Sequence, residues 1–246
     1  MSKKYSNKGY AARNAVQPKK DNTNTIIAIV TVSLCLAVVA AIVIAILAGT
    51  GAFDPKPVEI NMAEIQSEIN ASKAEDFAQT DKVTDYVKIT VKDYGDIVIR
   101  LRPDVAPDTV KNFQKLVKDG HYEGKTFHRV IQNFMIQGGA FDGTGAYHNS
   151  NSIQGEFTNN GFTNNLLHVR GVISMARAGN DNNSASNQFF ICDATKPHLD
   201  GNYAAFGYVL AGMDTVDKIA AVDTDGSDKP YDNVIIEKAV FVDPLK

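Results

Sequence analysis

The stretch TFHRVIQNFMIQGG, residues 126–139, sets a permanent cation, Arg129, inside an apolar run. The side chains typical of a packed strand are Phe127, Val130, Ile131, Phe134, Met135 and Ile136. Arginine is rarely buried without a partner. Two explanations are open. Either a carboxylate pairs with Arg129 for structural reasons, or a site needs a cation beside an apolar pocket.

The composition is that of a folded protein, with 44% apolar and 22% charged residues among 246. Charge is distributed unevenly: residues 1–20 carry six bases and no acid, whereas the chain from Asp54 onward carries 27 acids and 19 bases. So acidic a domain argues against nucleic-acid binding, which depends on phosphate contacts. The two cysteines and five histidines show no ligand spacing, so neither a metal nor a cofactor is expected.

Residues 26–47, IIAIVTVSLCLAVVAAIVIAIL, contain no charge and are long enough for a membrane-spanning helix. A helix of that length reaches about 33 Å, and a bilayer core is about 30 Å thick. A cleaved signal peptide is the alternative, although its apolar region is shorter. The prediction is a basic cytoplasmic tail (1–25) and a transmembrane helix (26–48). The positive-inside rule then places the rest of the chain outside the cytoplasm.

A polar, proline-containing stretch follows at residues 49–82. Ile65 and Ile69 share one helical face, but this stripe is too thin to define a core. The stretch is therefore predicted to be a partly helical stalk that separates the membrane from a domain at residues 83–246.

From residue 83 the pattern becomes that of a mainly β domain. VKITV alternates apolar and polar residues, DIVIRL follows a turn, and GVISMA, QFFICD, AAFGYVL and VIIEKAVFVD are further strand candidates. APDTVKNFQKLVKDG and GMDTVDKIAAV have helical spacing. Strands arranged around two helices without a βαβ rhythm favour a closed antiparallel barrel.

The ordered motifs FHRVIQNFMIQGG, GTG, GEF, GVISMARAG, NQFFIC, LDGNYAAFG and GMDTVDKI resemble the cyclophilin-type peptidyl-prolyl isomerases, in the style of a bacterial, membrane-anchored member. The resemblance covers residues 83–246. It implies an eight-stranded closed barrel with two capping helices and an active groove on its outer face.

The resemblance also assigns site residues. The catalytic set is Arg129, Phe134 and Gln137. The substrate-binding set is Met135, Ala176, Arg177, Gln188, Phe190, Leu199, His198, Tyr203 and Gly143. Phe134, Met135, Phe190 and Leu199 correspond to the pocket for the proline ring. His198 stands where well-known eukaryotic members have tryptophan, so tight cyclosporin binding is not expected, and Tyr203 replaces a groove histidine as in bacterial members.

The sequence thus predicts a membrane-tethered isomerase that accelerates X-Pro rotation in proteins folding outside the cytoplasm. Its expected partners are proline-containing unfolded or secreted polypeptides, with no nucleic acid. The alternative is a chaperone or scaffold that binds proline segments and catalyses only incidentally.

Overall fold

The computed structural model describes residues 59–245, in which nine strands form one antiparallel sheet. The strands are β1 (Phe77–Gln79), β2 (Tyr86–Val91), β3 (Gly95–Leu101), β4 (Arg129–Ile131), β5 (Met135–Gly138), β6 (Val172–Met175), β7 (Phe189–Cys192), β8 (Ala205–Ala211) and β9 (Ile236–Pro244). Neighbouring strands follow the order β1-β9-β2-β3-β8-β6-β7-β5-β4. The mainly β, antiparallel class predicted from the sequence is confirmed.

Three α-helices accompany the sheet: α1 (Met62–Glu68), α2 (Pro107–Lys118) and α3 (Met213–Ala220). The 3-10 turns are Ala74–Asp76, Thr158–Asn160 and Pro197–Leu199. The two helices predicted from spacing are α2 and α3. Both bury apolar side chains, such as Phe113 and Val216, against the interior face of the sheet. In β2 every second residue is buried, because alternate side chains of a strand face opposite sides.

The GEF motif has a structural role at the start of α2. The carboxylate of Glu156, which is 1% exposed, accepts the backbone N–H groups of Asp108 (3.1 Å) and Thr109 (2.8 Å). The first N–H groups of a helix have no partner within it, and a carboxylate there also interacts favourably with the helix dipole. Glu156 therefore fixes α2 against the loop that follows β5.

The predicted closure of an eight-stranded barrel is wrong. There are nine strands among the described residues, and their order ends at β1 and β4. An isolated bridge between Thr126 and Ile235 joins the segment before β4 to the residue before β9. Beyond it, however, β4 faces a loop, since the Val130 N–H donates to the Asp228 carbonyl at 2.8 Å. A loop in that place cannot continue the ladder.

The region expected to be a stalk contributes to the fold where it is described. Ile65 of α1 and Phe77 of β1 are 3% and 6% exposed, in an apolar cluster with Val98 and Tyr208 on the outer face of the sheet. Strand β1 pairs with β9, and the Glu68 carboxylate accepts the Tyr208 hydroxyl at 2.6 Å.

Residues 59–82 therefore pack on the sheet, which differs from the spacer expected there. The reason is tertiary. A stripe of two isoleucines is too thin to form a core alone, but it is sufficient against an apolar sheet face that is already present.

The predicted cytoplasmic tail (1–25), transmembrane helix (26–48) and first ten residues of the stalk (49–58) lie outside the described residues. Between residues 59 and 245, none of the helices has the length and apolar character needed to span a bilayer.

Replacing Ile65 by alanine should lower the free energy of unfolding by about 2–3 kcal/mol, because it empties a buried isoleucine site. Urea denaturation of the full chain measures the loss. Gln66→Ala, on the exposed side of α1, should change stability by less than about 0.5 kcal/mol. Equal stabilities for the two variants would show that α1 does not pack on the sheet.

Candidate active site

The pairing of three strands places a cation and an aromatic ring on one face. Arg129 in β4 stands opposite Gln137 in β5, and Gln137 stands opposite Phe190 in β7. Directly opposed residues of antiparallel strands lie on the same side of a sheet. This row faces outward, whereas Val130, next to Arg129, is 2% exposed and points into the core.

The hairpin between β4 and β5 is held tightly at its turn. Asn133 adopts a left-handed conformation with φ +58°, which asparagine tolerates, and its N–H donates to the Asp193 carboxylate at 2.7 Å. The Asp193 N–H in turn donates to the Phe134 carbonyl at 3.0 Å. These bonds fix Phe134 at the edge of the groove.

Close packing also explains Gly139, the glycine that follows β5 at the end of the hairpin. At Gly139 the backbone has φ +103°, and a Cβ atom there would lie 2.5 Å from the Asn187 carbonyl oxygen. A larger residue would therefore push β5 away from the segment that leads into β7.

The groove is lined by nine residues: Arg129, Phe134, Met135, Gln137, Ala176, Arg177, Phe190, Leu199 and Tyr203. Its apolar floor is separate from the interior core of the sheet. Met135, Phe190, Cys192 and Leu199 form a buried cluster of their own, against which Phe134 and Tyr203 pack. The four residues predicted to hold a proline ring are thus brought together.

Arg129 lines this groove and also has an acidic neighbour. Its Nε and Nη2 atoms both lie 3.2 Å from one carboxylate oxygen of Asp228, and the two side chains are 41% and 42% exposed. The structure thus shows a carboxylate partner for Arg129 and also places the cation beside an apolar groove. Asp228 restrains the guanidinium through Nε and Nη2, whereas Nη1 makes no bond to the described residues.

Asp228 is positioned by its own loop. The Asp225 carboxylate accepts the N–H groups of Ser227 (2.8 Å) and Lys229 (3.0 Å), and these bonds lower the pKa of Asp225. The Val130 N–H then ties the loop to β4 through the Asp228 carbonyl. The backbone thus sets where the ion pair forms.

Gln137 and Gln188 hold each other in place. The Gln137 side-chain amide donates to the Gln188 side-chain oxygen at 2.9 Å. Gln137 lines the groove, and Gln188 supports it from outside the lining set. A fixed amide beside Arg129 can orient a peptide backbone in the groove.

Three predicted site residues are not among the groove-lining residues: Gln188, which supports Gln137 from behind, and His198 and Gly143. His198 is exposed, with its ring 5.8 Å from that of Phe134. Gly143 lies in a separate loop, where its carbonyl accepts the Asn233 amide at 2.7 Å. His198 stands at the rim of the groove, and the structure does not place Gly143 in it.

A hydrogen-bonded set that was not predicted from the sequence joins the buried His168 and Ser174 to the partly exposed Asp200. The His168 Nδ1 atom lies 2.9 Å from the Asp200 carboxylate and its Nε2 lies 3.0 Å from the Ser174 hydroxyl. Because a carboxylate only accepts, the neutral ring donates from Nδ1 and accepts from Ser174 at Nε2. No sequence motif marks this set, since its members are joined only by the fold.

These three residues have the chemistry of a nucleophilic triad but not its access. Ser174 is 0% exposed and His168 is 1% exposed. The His168 ring stacks on Phe190, with centroids 6.0 Å apart and planes 17° from parallel. The set therefore supports Phe190 from behind the groove.

The thiol near the pocket floor is also unsuited to nucleophilic chemistry. Burial raises the pKa of Cys192 to about 12, so the thiol stays protonated at neutral pH. The groove places a restrained cation, Arg129, and a restrained amide, Gln137, beside an apolar notch. The notch is formed by Phe134, Met135, Phe190 and Leu199. This arrangement suits a reaction that needs hydrogen-bond donors and a clamp.

Residues 86–241 match the sequence profile of the family described as cyclophilin type peptidyl-prolyl cis-trans isomerase/CLD. Peptidyl-prolyl cis-trans isomerase ppi1 of Schizosaccharomyces pombe is 42% identical over 147 residues, which cover 59% of this chain and 92% of that protein. Peptidyl-prolyl cis-trans isomerase-like 2 of Gibberella zeae is 40% identical over 61% of this chain. The match covers only 26% of that longer relative.

Among solved structures, a cyclophilin type isomerase of Cryptosporidium parvum, crystallised in the presence of the dipeptide Ala-Pro, superposes with a TM-score of 0.55. It is 31% identical, and the match covers 63% of this chain and 98% of that one. The matched relatives are mostly eukaryotic. The comparisons therefore do not support the prediction that the chain is a bacterial, membrane-anchored member of the family.

The stability of the full chain should fall as the pH falls from 7 to 5, because burial lowers the pKa values of His121, His128 and His168. An unfolded histidine binds its proton near pH 6.5. The folded chain binds these protons only at lower pH, so acid favours the unfolded state.

Urea denaturation across this pH range measures the slope. His168→Gln removes one of the three groups and should make the slope shallower, whatever it does to stability at pH 7. An unchanged slope would mean that the pKa of His168 is the same in the folded and the unfolded chain.

Proposed function

The chain belongs to the cyclophilin-type peptidyl-prolyl cis-trans isomerases, and from this premise we propose that its groove accelerates X-Pro bond rotation through Arg129 and the apolar notch. The observation that carries the proposal is that Arg129 lines the same groove as Phe134, Met135, Phe190 and Leu199.

The proposed chemistry starts from the amide barrier. Rotation about a peptide C–N bond costs about 18–20 kcal/mol, because twisting removes the amide resonance. X-Pro bonds populate both isomers and interconvert in tens to hundreds of seconds. In the twisted state the prolyl nitrogen regains a lone pair and can accept a hydrogen bond.

A guanidinium N–H aimed at that nitrogen binds the twisted state more strongly than either planar ground state, and such differential binding accelerates a reaction. One preorganised donor is typically worth about 3–4 kcal/mol. Asp228 supports this role by limiting the orientations of Arg129. Gln137, restrained by Gln188, would hold the peptide backbone beside it.

The notch supplies the clamp. Met135, Phe190 and Leu199 are 2%, 5% and 5% exposed, so they form a firm apolar floor for a pyrrolidine ring. His168 stacks on Phe190 on one side and Tyr203 packs edge-on at 5.8 Å on another, which restricts the motion of that floor. Holding the ring while the preceding residue rotates requires no metal and no proton transfer.

The proposed setting is outside the cytoplasm, at a membrane. It rests on the sequence of the N-terminal region: six bases in residues 1–20, followed by the uncharged apolar run at 26–47. Chains that cross a membrane arrive unfolded, and proline isomerisation is slow enough to limit their folding. The proposed clients are therefore proline-containing segments of such chains.

The topology can be tested by adding protease to intact cells that produce the full chain. Digestion of the domain without lysis is expected if it lies outside. Protection until lysis would place the groove in the cytoplasm and overturn the proposed setting without touching the proposed chemistry.

Arg129→Ala should lower kcat/KM for a proline peptide at least tenfold, because it removes the donor proposed to reach the prolyl nitrogen. Exchange NMR on the full chain measures the rate, and circular dichroism checks that the fold is intact. Asp228→Asn keeps the guanidinium but removes its charged partner, so a smaller loss is expected.

Lys218→Ala, an exposed cation on α3, is the matched control and should keep the parent rate. Peptide binding without acceleration by the parent chain would favour the rival function, a proline-binding chaperone or scaffold. An unchanged rate for Arg129→Ala would remove the assignment of Arg129.

A further inference from the structure

Arg177 differs from the other arginines that the structure describes. Arg100, Arg102, Arg129 and Arg170 each form an ion pair with at least one carboxylate. Arg177 has no carboxylate partner within residues 59–245, although the chain from Asp54 onward carries 27 acids and 19 bases. A cation left unpaired in so acidic a domain, and lining the groove, needs an explanation.

The contacts of Arg177 fix its guanidinium. Its central carbon lies 4.9 Å from the ring centroid of Tyr203 and 5.3 Å from that of Phe157. Nε donates to the Asn202 carbonyl at 2.9 Å, and Nη1 donates to the Ala178 and Gly179 carbonyls at 3.0 and 3.3 Å. Two aromatic faces and three carbonyl oxygens therefore set the plane of the group.

One end of this guanidinium is left without a partner. Nη2 has no acceptor among the described residues, so its two N–H groups remain available. The bonds that Arg177 does make are to neutral carbonyl oxygens, which leave its positive charge uncompensated. The charge of Arg129, in contrast, is balanced by Asp228.

We propose that Arg177 is a specificity-determining residue that favours client segments with a carboxylate side chain close to the proline. This inference rests on the proposed function, because it names the substrate class of the same groove. A carboxylate would accept a charge-assisted hydrogen bond from Nη2, and such bonds are stronger than neutral ones. Because the guanidinium is already oriented, little side-chain entropy is lost when the bond forms.

A purely structural role is the competing explanation. The bonds to Ala178 and Gly179 could serve only to shape the loop after β6, and the ring contacts only to hold Tyr203. Such a role affects every peptide alike, whatever its charge. The ratio of rates for charged and neutral peptides therefore separates the two explanations.

The experiment uses the full chain and a set of proline peptides. Each peptide carries Glu, Gln or Lys at one of four positions, the two before the proline or the two after it, and the peptides are otherwise identical. We expect kcat/KM for Glu to exceed that for Gln about two- to fivefold at one position at least, the range of a partly exposed ion pair. The peptide with Lys at that position should have the lowest kcat/KM. The Glu to Gln ratio should fall toward one as salt is added.

Arg177→Met keeps an apolar chain over the two rings but removes the charge, so its Glu to Gln ratio should be about one. Arg177→Lys should retain part of the preference. Lys218→Met removes one exposed charge on α3 that does not line the groove, so it should leave the ratio as in the parent. A parent ratio of one at all four positions, or a preference that persists in Arg177→Met, would overturn the proposal.

Failure of the proposed function would look different. If the parent chain accelerates none of the peptides, calorimetric titration with the same Glu and Gln peptides still measures the preference as a ratio of dissociation constants. Tighter binding of Glu that disappears in Arg177→Met supports the role of Arg177 even then. Equal binding of both peptides would end it.

Discussion

The register of β4, β5 and β7 is the constraint on which the site depends. It places Arg129, Gln137 and Phe190 in one row on the outer face of the sheet, while the residues between them close the interior. A shift by one residue would exchange the two faces, moving the cation into the core and Val130 to the surface. The site and the core are therefore specified by the same hydrogen bonds, and one cannot move without the other.

The cation in the apolar run is tolerated because it never enters the core. Arg129 lies at the border between the notch and solvent, and Asp228 offsets its charge without burying it. The stabilisation from so exposed a pair is small, on the order of 0–1 kcal/mol. The pair instead restrains the orientation of the Arg129 guanidinium, which is important for a hydrogen-bond donor in a groove.

Sequence patterns predicted the elements whose signal is local. Alternation in VKITV and the three-to-four spacing in TVKNFQKLVK were sufficient for β2 and α2, because each period directly reflects one buried face. Nine of the residues named from the family motifs line one groove in the structure, and their roles in substrate binding stay predictions. What could not be predicted depends on partners far apart in the chain: Asp228 lies 99 residues from Arg129, and Asp200 lies 32 from His168. The packing of Ile65 was missed for the same reason, since its partners belong to strands that follow it.

The docking of residues 59–82 on the sheet removes a free spacer that the sequence pattern would have placed before the domain. Twenty-four free residues would offer a leash of up to about 85 Å, whereas packed against the sheet they offer none. The chain before residue 59 therefore joins the domain at α1, a fixed point on the sheet, rather than through a free spacer.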